Sequence, residues 1–185
     1  MSTIINLYGG PGTGKSTTMA LVFAGMKLRG QEVEMAPEWV KGPVWAGQTD
    51  ILEDQLYITA KQNHILTRLY GKVETIITDA PLLQGLVYCQ NPLLQEVIRE
   101  SARCYRNEHV FLRRVKPFRQ RGRVQDEAKS RRLDFEIEFM LTEEVDSFVS
   151  ITADANAAAA IMQLASCRSG ARWEDLDDIL KKGKR

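Results

Sequence analysis

Cysteine is scarce in this sequence. Its three cysteines, Cys89, Cys104 and Cys167, form no CxxC pair and no Cys/His cluster. That excludes a disulfide scaffold and a zinc ribbon, and predicts a reducing, cytoplasmic setting. Long apolar runs are missing too, with none near the roughly 18 residues that a bilayer span needs. The opening MSTIINLYGG has no basic region ahead of an apolar stretch, so it does not read as a secretory leader. Charge of one sign is also absent: 25 Lys+Arg against 24 Asp+Glu leave a net +1. No global electrostatic attraction to nucleic acid or membrane follows, and any such attraction must be local. No internal repeat, low-complexity tract or linker is visible.

What is present is an ordinary globular balance, 44% hydrophobic and 26% charged, which excludes global disorder. The length predicts a single domain over 1–185, with a short tail from about 170 that is acidic at WEDLDD and basic at KKGKR. Short β-branched runs alternate with helical patterns. Strands are expected at Thr3–Tyr8, Val33–Met35, Val73–Thr78, His109–Val115 and Phe148–Ile151. Helices are expected at Lys15–Arg29, at 49–70 capped by Thr49-Asp50, at Leu93–Arg103, at Gln125–Leu141 and at Ala155–Ala165. The stretch 36–48, with two prolines and two glycines, reads as loop. Such alternation implies βαβ units: an α/β fold with a parallel five-stranded sheet and helices on both faces.

The first strand runs into Gly9-Gly10-Pro11-Gly12-Thr13-Gly14-Lys15-Ser16, which satisfies GxxxxGK[ST] at every fixed position and is followed by Thr17. Glycines let the backbone curl so that successive N–H groups face one anion, and the next helix adds its unpaired N–H groups and positive dipole end. Lys15 then reaches the β- and γ-phosphates, and the Ser16 hydroxyl ligates Mg²⁺. Strand before and helix after are the context that the motif requires. The expectation is therefore a P-loop NTPase fold that binds ATP with Mg²⁺.

Two carboxylates belong to the same sheet edge. Asp79 ends the third apolar run and is expected to hold Mg²⁺ through water or to accept a proton from an acceptor hydroxyl, the alternative being a cap on the next segment. Glu38 follows the second strand; it holds or deprotonates such a hydroxyl if that strand lies beside the others, and otherwise is a solvated loop residue. Trp39 and Trp45 are placed to stack on a base or to pack as core. Gln55, Tyr57, Lys61, Gln62 and Asn63 offer polar groups that read an acceptor base, or an exposed helix face. His64 and His109 read as structural, and the stretch from Ser150 to Ala155 as a place where adenine packs. No NKxD-like segment supports guanine.

After the fourth strand, Arg113, Arg114, Lys116, Arg119, Arg121 and Arg123 give six positive charges in eleven residues without an acid. A basic lid over 113–125 is expected, with Arg119, Arg121 and Arg123 stabilising the transferred phosphoryl group. The surplus charge fits an acceptor carrying further phosphates, DNA among them.

These segments resemble a known group. The opening Ile5–Thr18, Asp54-Gln55-Leu56-Tyr57 with Lys61-Gln62-Asn63, Thr78-Asp79-Ala80-Pro81-Leu82-Leu83, and Val115-Lys116-Pro117-Phe118 with Gly122-Arg123 are similar to small P-loop kinases of tailed bacteriophages. That group lies near the thymidylate and nucleoside kinases, and the likeness spans about Ile4 to Asp134. It implies an ATP-dependent kinase in the host cytoplasm, with 5-hydroxymethyluracil in phage DNA as the favoured acceptor, in thymine hypermodification. A free nucleoside or nucleotide acceptor is the near alternative, and a P-loop ATPase or nucleotide-dependent switch the distant one. The chain departs from thymidylate kinases after Asp79, where Ala80-Pro81 replaces their Arg-aromatic pair, and this argues against free dTMP.

Overall fold

The computed structural model describes residues 2–115 and 126–169. Arg119, Arg121 and Arg123, and the tail from 170, lie outside the described residues. Five strands, β1 (Thr3–Tyr8), β2 (Val33–Ala36), β3 (Thr75–Thr78), β4 (Asn107–Arg113) and β5 (Val149–Thr152), form one parallel sheet in the order β2-β3-β1-β4-β5. Because every pairing is parallel, the loops that follow all five strands leave from one carboxyl edge.

Among the described residues there are six α-helices: α1 (Lys15–Leu28), α2 (Lys41–Trp45), α3 (Gln55–Thr67), α4 (Pro92–Arg103), α5 (Glu127–Glu144) and α6 (Ala157–Ser169). The period-2 alternation of β1 splits its side chains between two cores. Ile4 and Tyr8 face a cluster with Leu66, Ile98, Leu133 and Ile137 from α3, α4 and α5. Ile5 and Leu7 face Met19, Val22, Met26 and Ile161 from α1 and α6. Between them Asn6, almost fully buried, donates through Nδ2 to Asn107 Oδ1 at 3.0 Å and so ties β1 to the start of β4.

Two expectations need correction. The stretch 36–48 is not loop throughout, because 41–45 winds into α2. The helix expected over 49–70 is two elements: a 3₁₀ turn at Thr49–Glu53, then α3 from Gln55. Asp54, with φ −93° and ψ 76°, breaks the helical backbone, and its carboxylate accepts the Tyr57 N–H at 2.9 Å as the N-cap of α3. No helix among the described residues is long and apolar enough to cross a membrane.

Candidate functional site

Three glycines give the loop between β1 and α1 its curl: Gly9, Gly12 and Gly14 sit at φ 141°, 84° and 109°. Other residues rarely adopt such values, so the glycines of the motif are conformational requirements. Gly14 occupies the N-cap of α1 and makes no side-chain cap bond, which leaves the helix N-terminus open towards the loop. Thr13, buried, turns its hydroxyl back onto the Gly10 carbonyl at 2.9 Å. The Lys15 ammonium lies along the loop and donates to the Gly9 carbonyl at 2.5 Å and to that of Gly10 at 3.4 Å. Burial pulls its pKa below the usual lysine value, while the negative charges of Glu38, Asp79 and Asp134 oppose that shift.

Asp79 sits where β3 ends, almost fully buried. Its Oδ2 accepts the Ser16 hydroxyl at 2.5 Å, and its Oδ1 accepts the Glu38 backbone N–H at 2.9 Å. β3 lies between β1 and β2, so the first two strands are not neighbours, yet both loops converge on Asp79. Glu38 therefore belongs to the carboxyl edge beside the phosphate loop. Its carboxyl is pushed above the ordinary glutamate range, first by burial and then by Asp79, with Lys15 and Lys41 pulling the other way. Lys41, a residue that the sequence did not single out, donates from α2 to the Ser16 hydroxyl at 2.7 Å.

Beyond Glu38 lies an aromatic corner. Trp39 and Tyr57 meet edge to face, with ring centroids 5.2 Å apart, and the Lys61 ammonium stands 5.1 Å from the Tyr57 ring and 5.9 Å from that of Trp39. Gln62, buried, accepts the Trp39 backbone N–H at 3.1 Å and so pins the Glu38–Trp39 turn to α3. Tyr57 and Lys61 thus lie at the site, while Gln62 acts as a brace beneath it. Asn63 is engaged elsewhere, accepting from the Tyr105 hydroxyl. Gln55 donates to the Leu52 carbonyl, and Trp45 is 64% exposed without a place in the corner.

The basic stretch divides. Arg113 is exposed and 4.0 Å from Glu138. Arg114 is not a free cation: its side chain is 5% exposed and pairs with Asp134 of α5 at 2.9 Å. Of the six positive charges expected in this run, Arg114 is therefore engaged within the fold, while Lys116, Arg119, Arg121 and Arg123 lie outside the described residues. Nothing in the sequence pairs Arg114 with a carboxylate twenty positions away. His109 stands 2.9 Å from the Tyr8 hydroxyl, and burial lowers its pKa to about 4. A Cβ placed on Gly14 would stand 3.9 Å from that of Ala153, after β5, so the end of the sheet lies alongside the loop. Cavities of about 600 and 540 Å³ open at the opposite, amino edge, both lined by Glu108, His109 and Val149, and neither touches the phosphate loop.

No family model and no curated protein matches the sequence. Among solved structures, the chain is similar to a NadR protein in complex with NR, at TM-score 0.75 and 14% identity over 95% of this chain and 54% of that one. It is also similar to a NadR protein in complex with NAD and AMP-PNP, at TM-score 0.69 and 15% identity over 94% of this chain and 51% of that one. The chain thus spans about half the length of these neighbours. The likeness, the parallel sheet and the strand–loop–helix motif together give a P-loop α/β fold.

Proposed function

We propose that the protein is an ATP-dependent phosphotransferase acting on a hydroxyl of a nucleoside-like acceptor. The observation that carries this reading is the meeting of Ser16, Asp79 and Glu38 at the mouth of a complete phosphate loop. The fold neighbours bound to NR and to AMP-PNP support nucleoside and nucleotide ligands as the classes to test.

In this reading the loop N–H groups and the α1 terminus hold the β- and γ-phosphates, and Lys15 leaves the Gly9 carbonyl to reach them. Ser16 Oγ and Asp79 Oδ2 are hard oxygen donors close together. No cluster of three His, Cys, Asp or Glu side chains among the described residues could hold a metal by itself. That small protein share fits Mg²⁺, which binds one or two carboxylates and completes its shell with substrate phosphates and water. When bound, the ion would neutralise charge on the phosphates. Trp39 and Tyr57 flank the acceptor base, with Lys61 beside them. The acceptor oxygen forms a bond to the γ-phosphorus as the bond to the ADP oxygen breaks, and its proton passes to Glu38, whose raised pKa suits a general base. The products are ADP and the phosphorylated acceptor. Arg119, Arg121 and Arg123 are proposed to stabilise the transferred group.

The acceptor is best sought among free nucleosides first. 5-Hydroxymethyluracil in DNA, which the phage-kinase resemblance implies, is the second arm. Labelled γ-phosphate from ATP, offered in parallel to nucleosides, nucleotides, hydroxymethyluracil DNA and water, decides the matter. Label on any of the first three supports a kinase and names its acceptor. Label released only as inorganic phosphate overturns the kinase in favour of an ATPase or switch.

A further inference from the structure

The outer turn of the phosphate loop is held by side chains that are not part of the motif. The Gly10 N–H donates to Asp134 Oδ1 at 2.6 Å, while the other oxygen, Oδ2, accepts from Arg114 Nε at 2.9 Å. Arg114 Nη2 donates to the Pro11 carbonyl at 3.0 Å and to the Ser130 hydroxyl at 2.6 Å, and that hydroxyl in turn donates to the Pro11 carbonyl at 2.5 Å. Two consecutive loop residues thus have one N–H and one carbonyl fixed from outside. The fixing groups come from the end of β4 and from two successive turns of α5.

The approach is close enough to dictate the sequence. A Cβ at Gly10 would stand 2.6 Å from the Ser130 carbonyl and 2.7 Å from Asp134 Oδ1. The motif leaves this second position open, so the need for glycine here is specific to the bracket. Ser130 is fully buried, and the Arg114 and Asp134 side chains are 5% and 18% exposed. An ion pair so deeply placed is a weak source of stability in itself, because desolvation offsets much of the attraction. Its geometry is better explained by what it holds.

We propose that Arg114, Ser130 and Asp134 are positioning residues that set the shape of the phosphate loop, and through it the affinity for the terminal phosphates of the nucleotide. The Gly10 N–H and Pro11 carbonyl are turned outward and fixed, which leaves the N–H groups further along the loop to converge on the anion. The inference rests on the loop being a nucleotide site, as proposed above, and adds that three residues outside the motif tune it.

The test compares ADP and AMP binding by calorimetry, alongside the melting temperature, in wild type and three variants, one of them the Asp134→Leu single variant. Ser130→Ala removes one hydroxyl from the bracket. The double variant Arg114→Met with Asp134→Leu exchanges the ion pair for an apolar pair, a replacement that commonly preserves stability. The preference for ADP over AMP is expected to fall about threefold in Ser130→Ala and about tenfold or more in the double variant, the range for lost hydrogen bonds involving charged groups. The double variant should meanwhile melt above the Asp134→Leu single variant, in which Arg114 is left buried without its carboxylate. A double variant that melts like wild type and keeps the wild-type preference overturns the bracket and leaves only a structural pair. Wild type that binds ADP no better than AMP overturns the phosphate-loop reading, and the bracket with it.

Discussion

The Ser16 hydroxyl meets the Asp79 carboxylate at 2.5 Å although the residues stand 63 positions apart. The contact exists because β1 and β3 are parallel neighbours and both end at the same edge. On the proposed reading this pair holds the metal, so Asp79→Asn should lower kcat far more than it weakens ATP binding. A neutral amide cannot take over the carboxylate's charge, and a loss on the order of 10²-fold in kcat is expected. Measuring ATP affinity and kcat separately checks this; collapsed affinity with intact turnover would assign Asp79 another role.

Lys15→Ala should abolish most turnover while leaving the fold in place. Among the described residues the ammonium donates to the Gly9 and Gly10 carbonyls, both in its own loop, so the fold should survive its loss. A fall on the order of 10²–10³ in rate, or more, is expected from losing a cation aimed at developing phosphoryl charge. Circular dichroism and a melting curve, run beside the assay, separate lost chemistry from lost structure.

The legibility of these elements follows from how local their causes are. β1 was readable to the residue, because a β-branched run stops at the first glycine of the loop. Asp79 was readable because a buried strand delivers it to a known edge. The break at Asp54 was hidden by apolar residues whose helical spacing continues across it, although the side chain that makes the break is itself a good cap. Arg114 was misread for the opposite reason. In sequence it is one of many cations, and only the packing of α5 against the loop gives it Asp134 and Ser130 as partners. Lys41 and the brace made by Gln62 likewise depend on loops meeting in space, and no local pattern marks them.

Glu38 sets the acid limb of the reaction if it is the base. Its pKa lies above the ordinary glutamate value because burial disfavours the charged form. Activity should therefore fall as pH drops through a value above the ordinary carboxylate range, where the base becomes protonated. Glu38→Gln should remove that limb along with most of kcat, on the order of 10²-fold or more. A full-rate Glu38→Gln enzyme with an unchanged pH profile would pass the proton to another group, Asp79 being next to it.

Trp39 and Tyr57 should act on the acceptor alone. The Trp39 backbone N–H holds Gln62, so Trp39→Ala removes the ring and keeps that brace. A lost base–aromatic contact is worth about 1–3 kcal/mol, hence a rise in acceptor KM of roughly tenfold. The KM for ATP should stay within about twofold, because on the proposed reading the phosphate loop, and not this corner, holds the nucleotide. Equal effects on both substrates would mean that the rings support the whole cleft.

His109 gives a prediction about stability that needs no substrate. Its folded pKa is about 4, below the ordinary value of 6.5, because burial beside Tyr8 disfavours the imidazolium. Between those values the unfolded chain binds a proton that the folded chain refuses. Stability therefore rises with pH across this window, is fully present above about 6.5, and falls as the solution is acidified towards 4. The whole shift amounts to roughly 3 kcal/mol. His109→Gln keeps a polar group within reach of the Tyr8 hydroxyl and removes the titration. Urea unfolding at pH 7 and at pH 4.5 should then show a smaller drop in the variant than in wild type, by about 2 kcal/mol, the greater part of that shift. Equal drops in the two proteins would show that His109 titrates normally and is not held neutral at the amino edge of the sheet.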